Sequence, residues 1–182
     1  MNGLKQLAVT DESMLLEREE IIDQLMQEYS DDILHLVYTY VKNRTTAEDL
    51  TQEIFLKCYE KLNQFNQQAT LKTWVYRIAS NHCKDYLRSW HYRKITLSDK
   101  ILDIPSKSKQ VEEEIIANSE ENILTNAVMN LPLKYREVVF LHYYEELSLA
   151  EISKITTVNI NTIKTRLKRA KKLLKDKMIE EV

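Results

Sequence analysis

The chain has 182 residues, of which 43% are hydrophobic and 30% charged, enough apolar material for one domain or two small ones and too much for a disordered polyelectrolyte. Glycine occurs once, at Gly3, and proline twice, at Pro105 and Pro132. Glycine-cradled phosphate loops, dinucleotide fingerprints and hairpin-rich β folds are therefore excluded, because each needs backbone conformations that glycine adopts cheaply. The net charge of −2 hides a segregation: basic and acidic side chains number 5 and 13 over residues 1–60, 6 and 1 over 72–95, 3 and 7 over 97–124, and 9 and 2 over 151–178. Two basic segments parted by an acidic one predict two separate contacts with a polyanion, whereas merely solvated helix faces would mix the signs.

Taken in chain order, the pattern predicts an almost all-α protein. The first dozen residues read as frayed, and Glu17 to Tyr29 and Ile33 to Val41 follow with helical spacing. Thr45 with Glu48 and Thr46 with Asp49 are overlapping cap signals for the next helix, and Ala47, Leu50, Ile54, Cys58 and Leu62 step by three and four along its core face. Residues 63–70 form a polar loop holding one aromatic, Phe65. A long helix is then expected from about Leu71 to Trp90, with Val75, Ala79, His82, Cys83, Tyr86 and Trp90 on one side and a line of Arg77, Asn81, Lys84 and Arg88 on the other.

Residues 96–118 show no sustained apolar period in their first half and carry Pro105 among serines and charges. They read as a flexible linker between two small helical domains, residues 1–95 and 119–182, each of a size that a helical bundle can fold alone. Helices are expected from about Glu120 to Asn130 and from Leu133 to Tyr144, with Pro132 suited to a first helical position. Ser148 and Glu151 then make a capping box for a short helix that buries Leu149, Ile152 and Ile155. After a turn of Thr157 to Ile160, the last helix buries a narrow stripe of Ile163, Leu167, Ala170 and Leu174. Lys164, Arg166, Lys168, Arg169, Lys171, Lys172, Lys175 and Lys177 surround the stripe.

This last pair has the design of a helix-turn-helix, in which one narrow apolar stripe packs the recognition helix and leaves its first turns free for the major groove. Thr162, Lys164, Thr165, Lys168 and Arg169 can reach base edges and phosphates, and the distal lysines, Lys172 among them, neutralise backbone charge. The competing reading is a basic amphipathic helix that meets an acidic protein or a membrane surface. Neither role needs the capped helix and turn upstream.

Cys58 and Cys83 have no CxxC spacing and lie on apolar faces, so they read as buried thiols of a reducing compartment. His35, His82, His91 and His142 share no ligand spacing, and no metal site or cofactor is expected. No signal-like start and no run of 18 apolar residues occurs, which predicts a cytoplasmic protein without membrane insertion.

Three segments in order, AEDLTQEIFLKCYEKLNQF, LKTWVYRIASNHCKDYLR and LPLKYREVVFLHYYEELSLAEISKITTVNINTIKTRLKRAKKLL, resemble the extracytoplasmic-function (ECF) sigma factors of bacteria, which bring RNA polymerase core to promoters. The resemblance implies that Asp49, Gln52, Glu53 and Phe55 dock on the polymerase; Leu56 joins them by its place away from the apolar stripe. It further implies that Phe65 captures a flipped minus-ten base, although an aromatic there could equally plug the bundle, and that Arg77, Asn81, Lys84 and Arg88 line the single-strand path. Thr162, Lys164, Thr165, Arg166, Lys168, Arg169 and Lys172 would then meet the minus-thirty-five element. A cognate anti-sigma factor and a stress or envelope response are also implied.

Asn161 stands where many members of the family have glycine; asparagine tolerates left-handed geometry and can cap a helix. NTIKTRLKRAKKLL also resembles response-regulator domains, so an autonomous helix-turn-helix regulator with a sensing or dimerising N-terminal half is the alternative. An enzyme is not expected, since nucleophile settings, metal spacings and glycine loops are missing.

Overall fold

The computed structural model describes residues 3–66, 68–89 and 120–180, and every regular element among them is helical. The elements are α1 (Gly3–Val41), α2 (Arg44–Lys61) with a 3₁₀ turn (Leu62–Gln64), α3 (Leu71–Arg88), α4 (Glu120–Met129), α5 (Leu133–Val139) running on as a π-helical segment (Phe140–Tyr144), α6 (Leu149–Thr156) and α7 (Ile160–Glu180). The chain divides into two compact units, Met1–His82 and Cys83–Val182. The expected linker, residues 96–118, and Trp90 lie outside the described residues.

Two expectations for the N-terminal region are corrected. Residues 3–12 are helical and not frayed, because α1 already starts at Gly3, and the two helical stretches expected within it are one helix of 39 residues. No glycine or proline interrupts residues 4–41, and Ile33, Leu36 and Val37, all fully buried, carry the apolar face past the Ser30–Asp32 run. Lys42 then takes a positive φ of 55°, and its amide still donates to Tyr38 O at 2.9 Å. The chain turns so tightly that Asn43, in an extended conformation, becomes the N-cap of α2 by accepting from the Thr46 amide at 2.9 Å. Thr45 and Thr46 therefore stand inside the helix and do not cap it.

Ala47, Leu50, Ile54 and Cys58 form the buried stripe of α2 as expected, but Thr51 and Phe55 widen it. Against it packs α1, and on the apolar side of α3 Val75, Tyr76 and Ala79 are fully buried. Tyr40 donates its hydroxyl to Ser80 Oγ at 3.1 Å, and the rings of Tyr29 and Tyr76 meet edge to face at 6.4 Å. Farther up α1, the Arg18 guanidinium lies 4.8 Å from the Tyr59 ring centroid and donates to Tyr59 O at 2.8 Å.

In the second unit Pro132 is the N-cap of α5, one position before the helical site expected for it, and its carbonyl accepts from the Tyr135 and Arg136 amides at 2.8 and 3.1 Å. The Arg136 side chain, 4% exposed, folds back to donate to Met129 O and Leu131 O at 2.6 and 2.9 Å. Sequence pattern reads arginine as surface, but a guanidinium that satisfies loop carbonyls is kept inside by those bonds. The helix expected through Tyr144 changes pitch at Phe140. There the Glu145 amide reaches back to Phe140 O at 3.1 Å, and Phe140 stacks on Tyr144 with centroids 4.8 Å apart.

Candidate partner and nucleic-acid interfaces

The outer face of α2 follows from its core stripe. With Ala47, Leu50, Ile54 and Cys58 turned inward, Asp49, Gln52, Glu53 and Leu56 are exposed, and Leu56 is 65% accessible, a large apolar side chain in water on an otherwise polar face. Phe55 does not belong to this surface. It is 3% exposed, because the position next to Ile54 still faces the packed side of the helix, so it lies beneath the exposed face and not on it. Glu53 is bound within the unit, its Oε2 accepting from His82 Nε2 at 2.7 Å.

The loop after the 3₁₀ turn places Phe65 in extended backbone with its ring half-buried. The ring centroid lies 5.5 Å from that of Trp74 at a tilt of 53°, so the lone loop aromatic is one of a pair. On α3, Arg77, Asn81 and Arg88 are exposed along one line, and Arg88 approaches Asp85 at 3.9 Å. Lys84 in that line is half-buried and pairs with Glu137 Oε1 at 2.7 Å, both residues within the second unit. The opposite side of α3 holds Cys83, whose thiol burial pushes up to about 12, as it does that of Cys58 on α2.

The helix-turn-helix has the caps that its sequence announces at one end and different ones at the other. Ser148 Oγ accepts from the Glu151 amide at 3.3 Å, while the Ser148 amide donates to Glu151 Oε2 at 2.9 Å, completing the capping box. The turn departs from expectation. The left-handed residue is Thr157, at φ 58°, and the cap is Asn159, whose Oδ1 accepts from the Asn161 amide at 2.8 Å. Asn161 sits inside α7, so neither role considered for it is the one it has. Ser153 donates to Val158 O at 2.7 Å and ties α6 across the turn.

Ile163, Leu167 and Ala170 are buried and Leu174 is half-buried, so the stripe along α7 is the expected one. Thr162, Lys164, Thr165, Lys168, Arg169 and Lys172 are exposed, and Arg166 is half-buried. Thr165 spends its hydroxyl proton on Asn161 O at 2.9 Å, which leaves that oxygen as an acceptor. The Lys171 ammonium lies 5.2 Å from the Tyr143 ring centroid, a contact that no linear reading of α7 discloses because its partner comes from the π-helical segment. No described helix is long and apolar enough to cross a membrane.

The model of sigma-70 region 2 matches residues 25–92 and that of sigma-70 region 4 matches residues 121–174. The chain is 31% identical over 154 residues to the RNA polymerase sigma factor SigV of Bacillus subtilis, covering 85% of this chain and 89% of that protein. It is 30% identical to the ECF sigma factor SigW of the same organism, covering 82% and 84%. In structure it resembles the sigma factor RpoE of Bartonella quintana, solved in complex with the anti-sigma factor NepR, with a TM-score of 0.70 at 22% identity over 86% of this chain and 95% of that one. The region 2 match covers the half of the chain that an autonomous regulator would use for sensing, so that alternative is not favoured. With both regions matched in order, the chain belongs to the ECF sigma factors of the sigma-70 family, non-enzymatic initiation factors that bind RNA polymerase core and direct it to promoters.

Proposed function

We propose that this sigma factor docks on the polymerase through Asp49, Gln52, Glu53 and Leu56, opens the minus-ten region with Phe65, Arg77, Asn81, Lys84 and Arg88, and reads the minus-thirty-five element with Thr162, Lys164, Thr165, Arg166, Lys168, Arg169 and Lys172. The domains run over residues 1–95 and 119–182 with a linker at 96–118. The observation that carries this reading is that two helices, one in each unit, bury similar stripes and expose faces of unlike charge: α2 exposes carboxylates around an apolar Leu56, and α7 exposes cations behind a capped turn. A polar face with one large apolar side chain suits a protein partner, and a cationic helix preceded by a short capped helix suits a duplex. Phe65 beside Trp74 offers aromatic faces on which an unpaired base can stack.

The protein works in the cytoplasm, where the polymerase is. An anti-sigma factor that covers the α2 face or the cationic face of α7 would silence it; the Bartonella RpoE, similar in fold, was solved with the anti-sigma factor NepR bound. Promoter-dependent transcription with purified core polymerase tests the reading. Specific transcripts are expected only when this protein is added, and Asp49→Lys with Glu53→Lys should abolish them while leaving helicity unchanged. Wild-type transcription by that double variant would remove the docking assignment.

A further inference from the structure

Glu53 and Lys57 stand one helical turn apart on α2, a spacing at which a carboxylate and an ammonium ordinarily pair with each other. Here an imidazole from α3 stands between them. His82 Nε2 lies 2.7 Å from Glu53 Oε2, and His82 Nδ1 lies 2.7 Å from Lys57 Nζ. An ammonium has only protons to offer, so Nδ1 must present its lone pair to Lys57. The ring proton then sits on Nε2 and is donated to the carboxylate, which fixes a single neutral tautomer. The His82 side chain is 10% exposed and that of Glu53 56%, so the ring is walled in while the carboxylate still meets solvent.

We propose that His82 is a positioning residue for polymerase docking: by bridging Glu53 and Lys57 it prevents their direct pairing and presents the Glu53 carboxylate outward in one fixed arrangement. The proposal rests on the docking role of the α2 face given above. It also makes that face continuous with α3, because His82 follows Asn81 of the exposed line directly in sequence.

The test uses the full chain and its affinity for core polymerase. His82→Leu removes the bridge and lets Lys57 fall onto Glu53; affinity should drop about fivefold, the scale of weakening one charge-assisted hydrogen bond. His82→Gln keeps an acceptor for Lys57 and donors for Glu53, and should stay within about twofold of wild type. Adding Lys57→Met to His82→Leu should restore most of the affinity, because the competing cation is gone. A loss that Lys57→Met does not restore, or no loss in His82→Leu, overturns the proposal.

Leu56→Ala separates this failure from that of the docking reading. If Leu56→Ala weakens binding and His82→Leu does not, only the bridge is wrong; if neither does, the docking face is wrong. Should His82→Leu fail to fold, long-range ¹H–¹⁵N spectra of the wild-type imidazole at neutral pH decide the matter. A proton on Nε2, moving toward a mixture of tautomers in Lys57→Met, is the expected result, and a proton on Nδ1 overturns it.

Discussion

α2 and α7 are 18 and 21 residues long, and each buries a stripe stepping by three and four, yet their outer faces are held in different ways. On α2 several exposed charges are engaged with neighbours in the chain: Arg44 pairs with Glu48 at 3.0 Å and Glu53 with His82 at 2.7 Å. On α7 the exposed cations crowd together, and Lys171 turns to the face of a tyrosine. A surface meant to meet another protein gains from fixed charges, since ordering them beforehand lowers the entropic cost of association. A surface meant to meet a polyanion gains from density of charge, because counterions released from the polyanion supply much of the affinity.

The two buried stripes hold their helices equally, and large-to-small substitutions test that first. Ile54→Ala and Ile163→Ala each empty a fully buried site and should each cost about 2–5 kcal/mol. Hydrogen exchange followed separately on the two helices measures it. If Ile163→Ala cost much less than Ile54→Ala, α7 would be held by something other than its stripe.

Alkaline pH offers a second way to part the two helices, since α2 carries Cys58 and α7 has no cysteine. Burial pushes the Cys58 thiol from 9.0 up to about 12, so the folded state keeps the proton that the unfolded chain has lost. The stability contributed is complete below 9.0 and declines as pH rises toward 12, by about 1.4 kcal/mol per pH unit. Urea melts across that window should show the slope in wild type and a shallower one in Cys58→Ala. Thiol reagents should also leave native Cys58 and Cys83 unmodified, both being fully buried.

The crowding of cations on α7 can be resolved by function. Arg169→Ala should flatten the preference for the native upstream element over a scrambled one by about 1–3 kcal/mol, the range for a good bidentate base contact. Lys172→Ala should weaken both duplexes alike and lower the salt slope by about one unit. Titration of the full chain bound to core polymerase against both duplexes at several salt concentrations separates them, and a reversed pattern would turn the helix around in the groove.

The smallest effect concerns the turn before α7. Thr157 is β-branched and left-handed at φ 58°, a conformation that costs such residues about 1–2 kcal/mol. Thr157→Gly should recover about 1 kcal/mol in thermal unfolding, offset in part by the freedom glycine gives the unfolded chain.

Where the fold was legible, the signal was local. The capping box at Ser148, the stripes of α2 and α7 and the exposed line of Arg77, Asn81 and Arg88 depend on spacing within one helix, and spacing is written in the chain. What escaped depends on neighbours brought from elsewhere. Phe55 is buried because the stripe is wider than its strict period, and Arg136 is buried because two loop carbonyls await it. His82 was readable as a core-side residue, but its bridge needs Glu53 and Lys57 from another helix. The caps at Asn43 and Asn159 each lie earlier in the chain than the strongest local candidate, because the preceding turns, with Lys42 and Thr157 left-handed, are shorter than pattern suggests.

The contact between Phe65 and Trp74 has an optical consequence. The chain has two tryptophans, Trp74 and Trp90, and an indole whose ring lies 5.5 Å from a phenyl ring loses that apolar neighbour if the phenyl swings away. With Trp90→Phe, the remaining emission becomes a built-in gauge of the Phe65 loop. Its intensity and wavelength, followed by stopped flow as the free protein meets unpaired minus-ten DNA, would time the departure of that one ring without any attached dye.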